Sequence, residues 1–237
     1  APHAQKNCLQ PWRVRRWLIA AKANAAFVAA MELLLAVYAR PVDARTPLVC
    51  FDESGKELRS HAQPPQAARP GQVRREDPEY VRDGSANLFL TYAPYLGWRQ
   101  ITVTERRTAI DFAHAVRHLV DDCFPDAERI TLVLDNLNTH TPASLYKAFK
   151  PDEAWRLLQK LEWVFTPTHG SWLNMAELEW SVAQRQCLAR RLPTIQELQH
   201  ELDAWTEARN AERITASWHF TKEDARQKLS WLYPCPQ

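Results

Sequence analysis

The sequence predicts an α/β fold, a mixed sheet flanked by helices with a basic arm and helix in front. Three observations carry this. Two apolar runs rich in β-branched residues, 48–52 and 130–135, each end abruptly in an acid, Asp52 and Asp135. That is how a buried strand reads when its last residue is delivered to a sheet edge. Residues 86–92 and 98–105 alternate like strands around 93–97, which reads as a hairpin turn. Helical periodicity fills the gaps, and strand ends are then the place for a site.

The segment to about residue 45 opens with Lys6, Arg13, Arg15, Arg16 and Lys22 and no acid before residue 23. Trp12 and Trp17 are interleaved with these cations, so the segment reads as a solvated face or as a phosphate contact. Phe27, Met31, Leu34, Leu35 and Tyr38 then recur at helical spacing until Pro41. Residues 55–84, with Pro64-Pro65, Pro70-Gly71 and Arg74-Arg75, are long for a structureless loop; they read as a functional excursion or as partly extended. Thr108 and Asp111 match a capping box before a helix bearing Ile110, Ala113, Val116 and Leu119. After Asp135, Thr141-Pro142 offers a capping hydroxyl and a first-turn proline. A helix begun by Pro151, a short strand 163–165 and a long helix over 172–191 follow. Pro193-Thr194 and Thr221 start two more helices. The division expected is an arm and linker helix over 1–45 and a catalytic domain over 46–237.

Composition narrows the class. At 237 residues, with 24% charged and 46% hydrophobic, the chain is globular rather than disordered. Its net charge of +2 gives no argument for nucleic acid, so only the local basic clusters do. No apolar run approaches the ~20 residues that span a bilayer, and no leader pattern opens the chain. Five cysteines with no Cys-x-x-Cys pair argue against a disulfide framework or structural zinc, and a cytoplasmic setting is expected.

The acids carry the chemistry. Moving a phosphodiester needs an activated nucleophile and a neutralised leaving oxygen. Two hard cations about 4 Å apart supply both, and only oxygen ligands assemble them. Asp52 and Asp135, at the ends of adjacent strands about 5 Å apart, can share an ion. Asp52 is preferred to Glu53 because it directly follows its apolar run, and consecutive strand residues point oppositely. Glu177 is preferred to Glu179 because it lies in the polar stripe Asn174, Glu177, Ser181 and Gln184; Glu179 then faces solvent or a basic neighbour. Asn136, His140, His169 and Asn174 stand beside the acids as orienting groups, and Gly170 suits a tight turn before the helix. Arg74 and Arg75, with Lys6, Arg13, Arg15 and Arg16, are the candidate DNA contacts.

Phe51-Asp52-Glu53, Ala86-Asn87-Leu88-Phe89, Thr102-Val-Thr-Glu-Arg-Arg-Thr108, Leu134-Asp135-Asn-Leu-Asn-Thr-His140 and His169-Gly-Ser-Trp-Leu-Asn-Met-Ala-Glu177 together resemble the catalytic domain of DDE transposases. The branch is that of bacterial insertion sequences related to mariner elements. The resemblance implies an RNase H-like fold, with the acid triad and the metal ligands falling on Asp52, Asp135 and Glu177. It implies magnesium or manganese, two ions per site, cleavage at terminal inverted repeats and transfer of the 3′-hydroxyl into a TA dinucleotide. It also implies a homodimer on double-stranded DNA at the bacterial nucleoid. Members usually carry helix-turn-helix modules in front, for which residues 1–45 have no room, so recognition of particular ends is expected from outside this chain. A nuclease that cuts without joining, and a domesticated DNA-binding protein with an idle site, are the competing readings.

Overall fold

A computed structural model describes residues 22–235, and the arm with Lys6, Arg13, Arg15 and Arg16 lies outside them. The first helix, α1 (Ala25–Tyr38), starts where the Asn24 side chain accepts the Phe27 N–H at 3.0 Å. It presses Phe27, Met31, Leu34 and Leu35 into the same apolar cluster as the sheet, so it is continuous with the core. Full burial of a side chain such as Leu34 is worth about 1.5–3 kcal/mol.

Five strands form one mixed sheet: β1 (Leu48–His61), β2 (Tyr80–Ala93), β3 (Trp98–Thr104), β4 (Ile130–Leu134) and β5 (Leu161–Phe165). Their spatial order is β3-β2-β1-β4-β5, antiparallel among the first three and parallel between β1, β4 and β5. This is the RNase H-like arrangement that the resemblance implies. Alternation divides the strands between two cores. Cys50, Leu88, Leu90 and Val133 face one cluster, while Val49, Phe51, Phe89, Leu132 and Leu134 face the other. The second cluster is closed by α2 (Ala109–His118), α3 (Ala143–Ala148) and α4 (Pro151–Gln159). The first is closed by α1 with α5 (Ala176–Ala183), α6 (Ile195–Ala211) and α7 (Lys222–Lys228).

One alternative is decided, the partly extended one for 55–84, and two expectations change. Both flanks of the 55–84 excursion are strand, because β1 runs on to His61 and pairs with β2 through Glu57 and Lys56; only 62–79 is outside the strands. The register shifts at Leu58 and Arg59, opposite Gly84, whose φ of +132° suits glycine. Thr141 does not cap α3, which begins after Pro142 with no side-chain cap; Ser144 Oγ donates to the Thr139 carbonyl at 2.7 Å instead. The long helix over 172–191 is interrupted. A single 3-10 turn, Ser171–Leu173, gives way to extended backbone at Asn174 (φ −80°, ψ 118°), then α5, then a wide turn over Gln184–Leu188. The Asn174 side chain bonds backbone on either side, donating to the Phe51 carbonyl and accepting the first N–H of α5, which is how asparagine breaks a longer helix. The capping boxes at Thr108 and Thr221 form in full.

Candidate active site

β1 and β4 pair in parallel from Leu48 opposite Thr131 to Cys50 opposite Val133. Two residues further, the same register sets Asp52 level with Asp135, the residue following β4. Beyond Cys50 the two strands part: β1 continues with β2 alone, and β4 with β5. Alternation puts Asp52 and Asp135 on the face of Cys50 and Val133, and Glu53 on the other. α5 packs on that first face against β1 and β2, burying Ala176, Trp180 and Ala183 and leaving Glu177 exposed.

Charge shows how close the three acids are. Burial pushes the Asp52 carboxyl up to about 7, and the negative charges of Glu177 and then Asp135 push the same way. The Glu53 N–H, donating to Asp52 Oδ1 at 2.9 Å, and the charge of His140 oppose them. Asp52 thus feels the charges of both Glu177 and Asp135. The three do not close into a cage: among the described residues no three His, Cys, Asp or Glu side chains are grouped tightly enough to hold an ion.

Asp135 is turned toward His140. Its Oδ1 accepts from His140 Nδ1 at 2.6 Å and from the Leu137 N–H at 3.1 Å. His140 Nε2 lies 3.0 Å from Glu53 Oε1, so both ring nitrogens meet carboxylates and both are placed to donate. The imidazole is 1% exposed and lies 4.7 Å from the Phe112 ring and 5.4 Å from that of Phe51, centroid to centroid. Burial works against its charge, but the hydrogen bonds to Asp135 and Glu53 outweigh it and push the pKa up to about 9. Asp135 responds in the opposite sense: burial raises it, yet the hydrogen bond and charge of His140 hold it below the usual carboxylate value. Glu53 Oε2 is buried without a hydrogen bond, 3.8 Å from Arg107 Nη1. Sequence reasoning weighed Glu53 only as a rival to Asp52. Its tie to His140 crosses from β1 to the loop after β4, and no local pattern encodes that.

Asn174 joins the two walls of the site. Its Nδ2 donates to the Phe51 carbonyl at 2.9 Å, one residue before Asp52, and its Oδ1 accepts the Ala176 N–H at 3.1 Å, one residue before Glu177. Asn136 Nδ2 donates to the Thr166 carbonyl, fastening the loop after β4 to the end of β5. His169 is exposed at φ +62° and its ring makes no hydrogen bond among the described residues, so only its backbone shapes the turn. Gly170 serves that turn by close approach: a Cβ there would lie 2.9 Å from the Pro167 carbonyl oxygen. Glu179 does not face solvent. It is 3% exposed, with Oε1 2.9 Å from Arg99 Nε and 2.8 Å from Arg209 Nε, the basic neighbour being the correct alternative. Of the candidate DNA contacts within the described residues, Arg74 is exposed and pairs with Glu76, while exposed Arg75 pairs through its backbone with Gln66. No helix among the described residues is long and apolar enough to cross a membrane.

The architecture is similar to solved structures of Mos1. These are the Mos1 mariner paired-end complex with Mn (17% identity, TM-score 0.60, 94% of this chain and 67% of that one), the Mos1 strand transfer complex (17%, 0.61, 95% and 66%) and the Mos1 transposase paired-end complex with left transposon end (16%, 0.58, 96% and 68%). The chain thus spans about two thirds of their length, and at such identity the likeness speaks for the fold. Among curated proteins nothing matches. A family model does: the one described as DDE superfamily endonuclease matches residues 47–199, from the start of β1 into α6, a stretch that contains Asp52, Asp135 and Glu177. Through that match the chain belongs to the DDE superfamily endonucleases.

Proposed function

We propose that this chain is the catalytic part of a DNA transposase. It cleaves phosphodiester bonds at transposon ends and transfers the freed 3′-hydroxyl into target DNA, at a TA step by resemblance. Asp52, Asp135 and Glu177 are its catalytic acids and metal ligands. The observation that carries this is the charge coupling of Asp52 with Glu177 and Asp135 at one edge of the sheet. Nothing in folding calls for two further acids to add to the cost of ionising a buried aspartate.

The donor set suits magnesium or manganese: it is all oxygen and trebly acidic, and a dication would relieve the strain on Asp52. Two such ions, when bound, activate the attacking oxygen and stabilise the leaving one. The chain's own residues prepare for this. His140 occupies Asp135 Oδ1. Asn174 fixes the backbone next to both Asp52 and Glu177. Glu177, exposed on α5, would complete the set from the helix side. The family match supports nuclease chemistry, and the neighbouring structures named as paired-end and strand transfer complexes of Mos1 support its use on transposon ends. By resemblance the protein acts on double-stranded DNA as a homodimer, with residues 46–237 as the catalytic domain, 1–45 as arm and linker helix, and α1 packed into the same core.

The test supplies a pre-cleaved transposon end, a TA-containing plasmid and Mg²⁺ or Mn²⁺. Joined product at TA is expected; cutting without joining would leave a nuclease. Glu177→Gln should abolish cleavage while keeping DNA affinity within a few-fold, since affinity comes from phosphate contacts. Full cleavage by that variant would remove Glu177 from the site.

A further inference from the structure

A polar groove of about 850 Å³ opens between the outer half of the β1–β2 hairpin, from Gly55 onward, and the turn that follows α5. Its wall carries Lys56, Arg59, His61, Arg74, Arg190 and Arg191, against the acids Glu57 and Glu76. We infer that this groove holds the phosphate backbone of double-stranded DNA leading into the proposed active site. The inference rests on the reading of that site as one that cuts DNA.

The cations differ in how far they are neutralised. Arg59 pairs with Glu57, Arg74 with Glu76 and Arg190 with Glu201. Lys56 and Arg191 have no acidic partner among the described residues; backbone carbonyls hold them. Lys56 Nζ donates to the Leu188 carbonyl at 2.6 Å, and Arg191 Nη2 to those of Asp77 at 2.6 Å and Pro78 at 3.2 Å, its Nη1 lying 2.9 Å from His61 Nδ1. A carbonyl fixes a cation in place without cancelling its charge, which leaves a preset attraction for an anion. Burial lowers the Lys56 pKa, so the groove already bears a cost that a phosphate would relieve.

Position supplies the second argument. Lys56 is four residues beyond Asp52 on the same strand, hence on the same face and about 13 Å along it. Gln184, on the opposite wall, lies two helical turns past Glu177. The groove therefore continues the line from the carboxylates outward, at a distance suited to the phosphates flanking the one that is cut. Phosphate contact carries no sequence information, so the groove would grip any duplex.

The experiment measures binding of a labelled mixed-sequence duplex, with metal chelated, against salt concentration. Each lost phosphate contact should make the slope of log K on log [salt] shallower by about 0.9. Lys56→Gln and Arg191→Gln are each expected to do so, and together by about twice as much. Because Arg191 also ties the hairpin to the turn after α5, thermal melts are run beside the binding, and Lys56→Gln serves alone should Arg191→Gln unfold. Wild-type affinity and slope in folded Lys56→Gln would overturn the inference. A shallower slope in a protein that never cuts DNA with Mn²⁺ would uphold the groove and defeat the proposed function instead.

Discussion

At the scale of single residues, the buried imidazole of His140 joins two carboxylates from different parts of the chain, Glu53 on β1 and Asp135 just after β4. Among the described residues it is the one hydrogen-bonding partner of the Glu53 carboxylate, whose side chain is 5% exposed. His140→Leu keeps the volume near the Phe51 and Phe112 rings but strands Glu53. A buried charge without its partner costs about 3 kcal/mol, so urea unfolding should show a loss of that order, with cleavage lost as well. An unchanged midpoint would mean that Arg107 alone suffices for Glu53. What a single strand encodes was legible: alternation puts consecutive residues such as Asp52 and Glu53 on opposite faces. Where the partner comes from afar, as for Glu53 with His140, periodicity has nothing to say.

Among the elements, α5 is the one that decides the site, and its bounds were the hardest to read. Its apolar spacing continues smoothly from Trp172, so a single long helix is the natural reading of the sequence. What ends that helix is a hydrogen bond to a strand far away, from Asn174 to the Phe51 carbonyl, which no window of local sequence contains. The hairpin was half legible for a related reason: charged and glycine-bearing strands such as 55–61 become extended through their cross-strand partners rather than through propensity. α5 is held from below by Glu179, whose carboxylate lies between Arg99 on β3 and Arg209 on α6. Arg99 is itself engaged through Nη1 with the Gly97 carbonyl at 3.1 Å and with Asn210 Oδ1 at 3.2 Å. Glu179→Ala should therefore cost about 3–5 kcal/mol in chemical denaturation, because it leaves a guanidinium with no side-chain exposure facing no anion. Little change in stability would show that the carbonyl and Asn210 contacts carry Arg99 unaided.

For the whole molecule, two groups tilt stability the same way with pH. Asp52 has a folded pKa of about 7 against an ordinary 3.8, so the folded state keeps its proton more tightly, and stability falls as pH rises across that interval. His140 has about 9 against 6.5; its contribution is complete below the lower value and lost as pH passes the upper one. The metal-free protein should accordingly melt at a lower temperature near about pH 9 than near about pH 6. Mn²⁺ or Mg²⁺ should raise the melting temperature more at about pH 8 than at about pH 5.5, because the ion competes with the Asp52 proton. Asp52→Asn should flatten that metal response, and a response of equal size in the variant would place the ion elsewhere. At this scale the fold class was readable in advance: strand, hairpin, helix and strand follow in the order that a mixed sheet needs. The order of strands in space came from the resemblance, because pairing between β1 and β4 depends on where the intervening chain returns.

The parting of β1 from β4 just short of the two aspartates has one more effect. Were the ladder to continue, its amides and carbonyls would fill the space between the strands, and little could enter. Because it stops, the sheet ends in a notch anchored on both sides by intact pairing, β1 on β2 and β4 on β5. Variation in the hairpin tip over residues 62–79 can then alter what approaches the notch while its rigid base stays where it is.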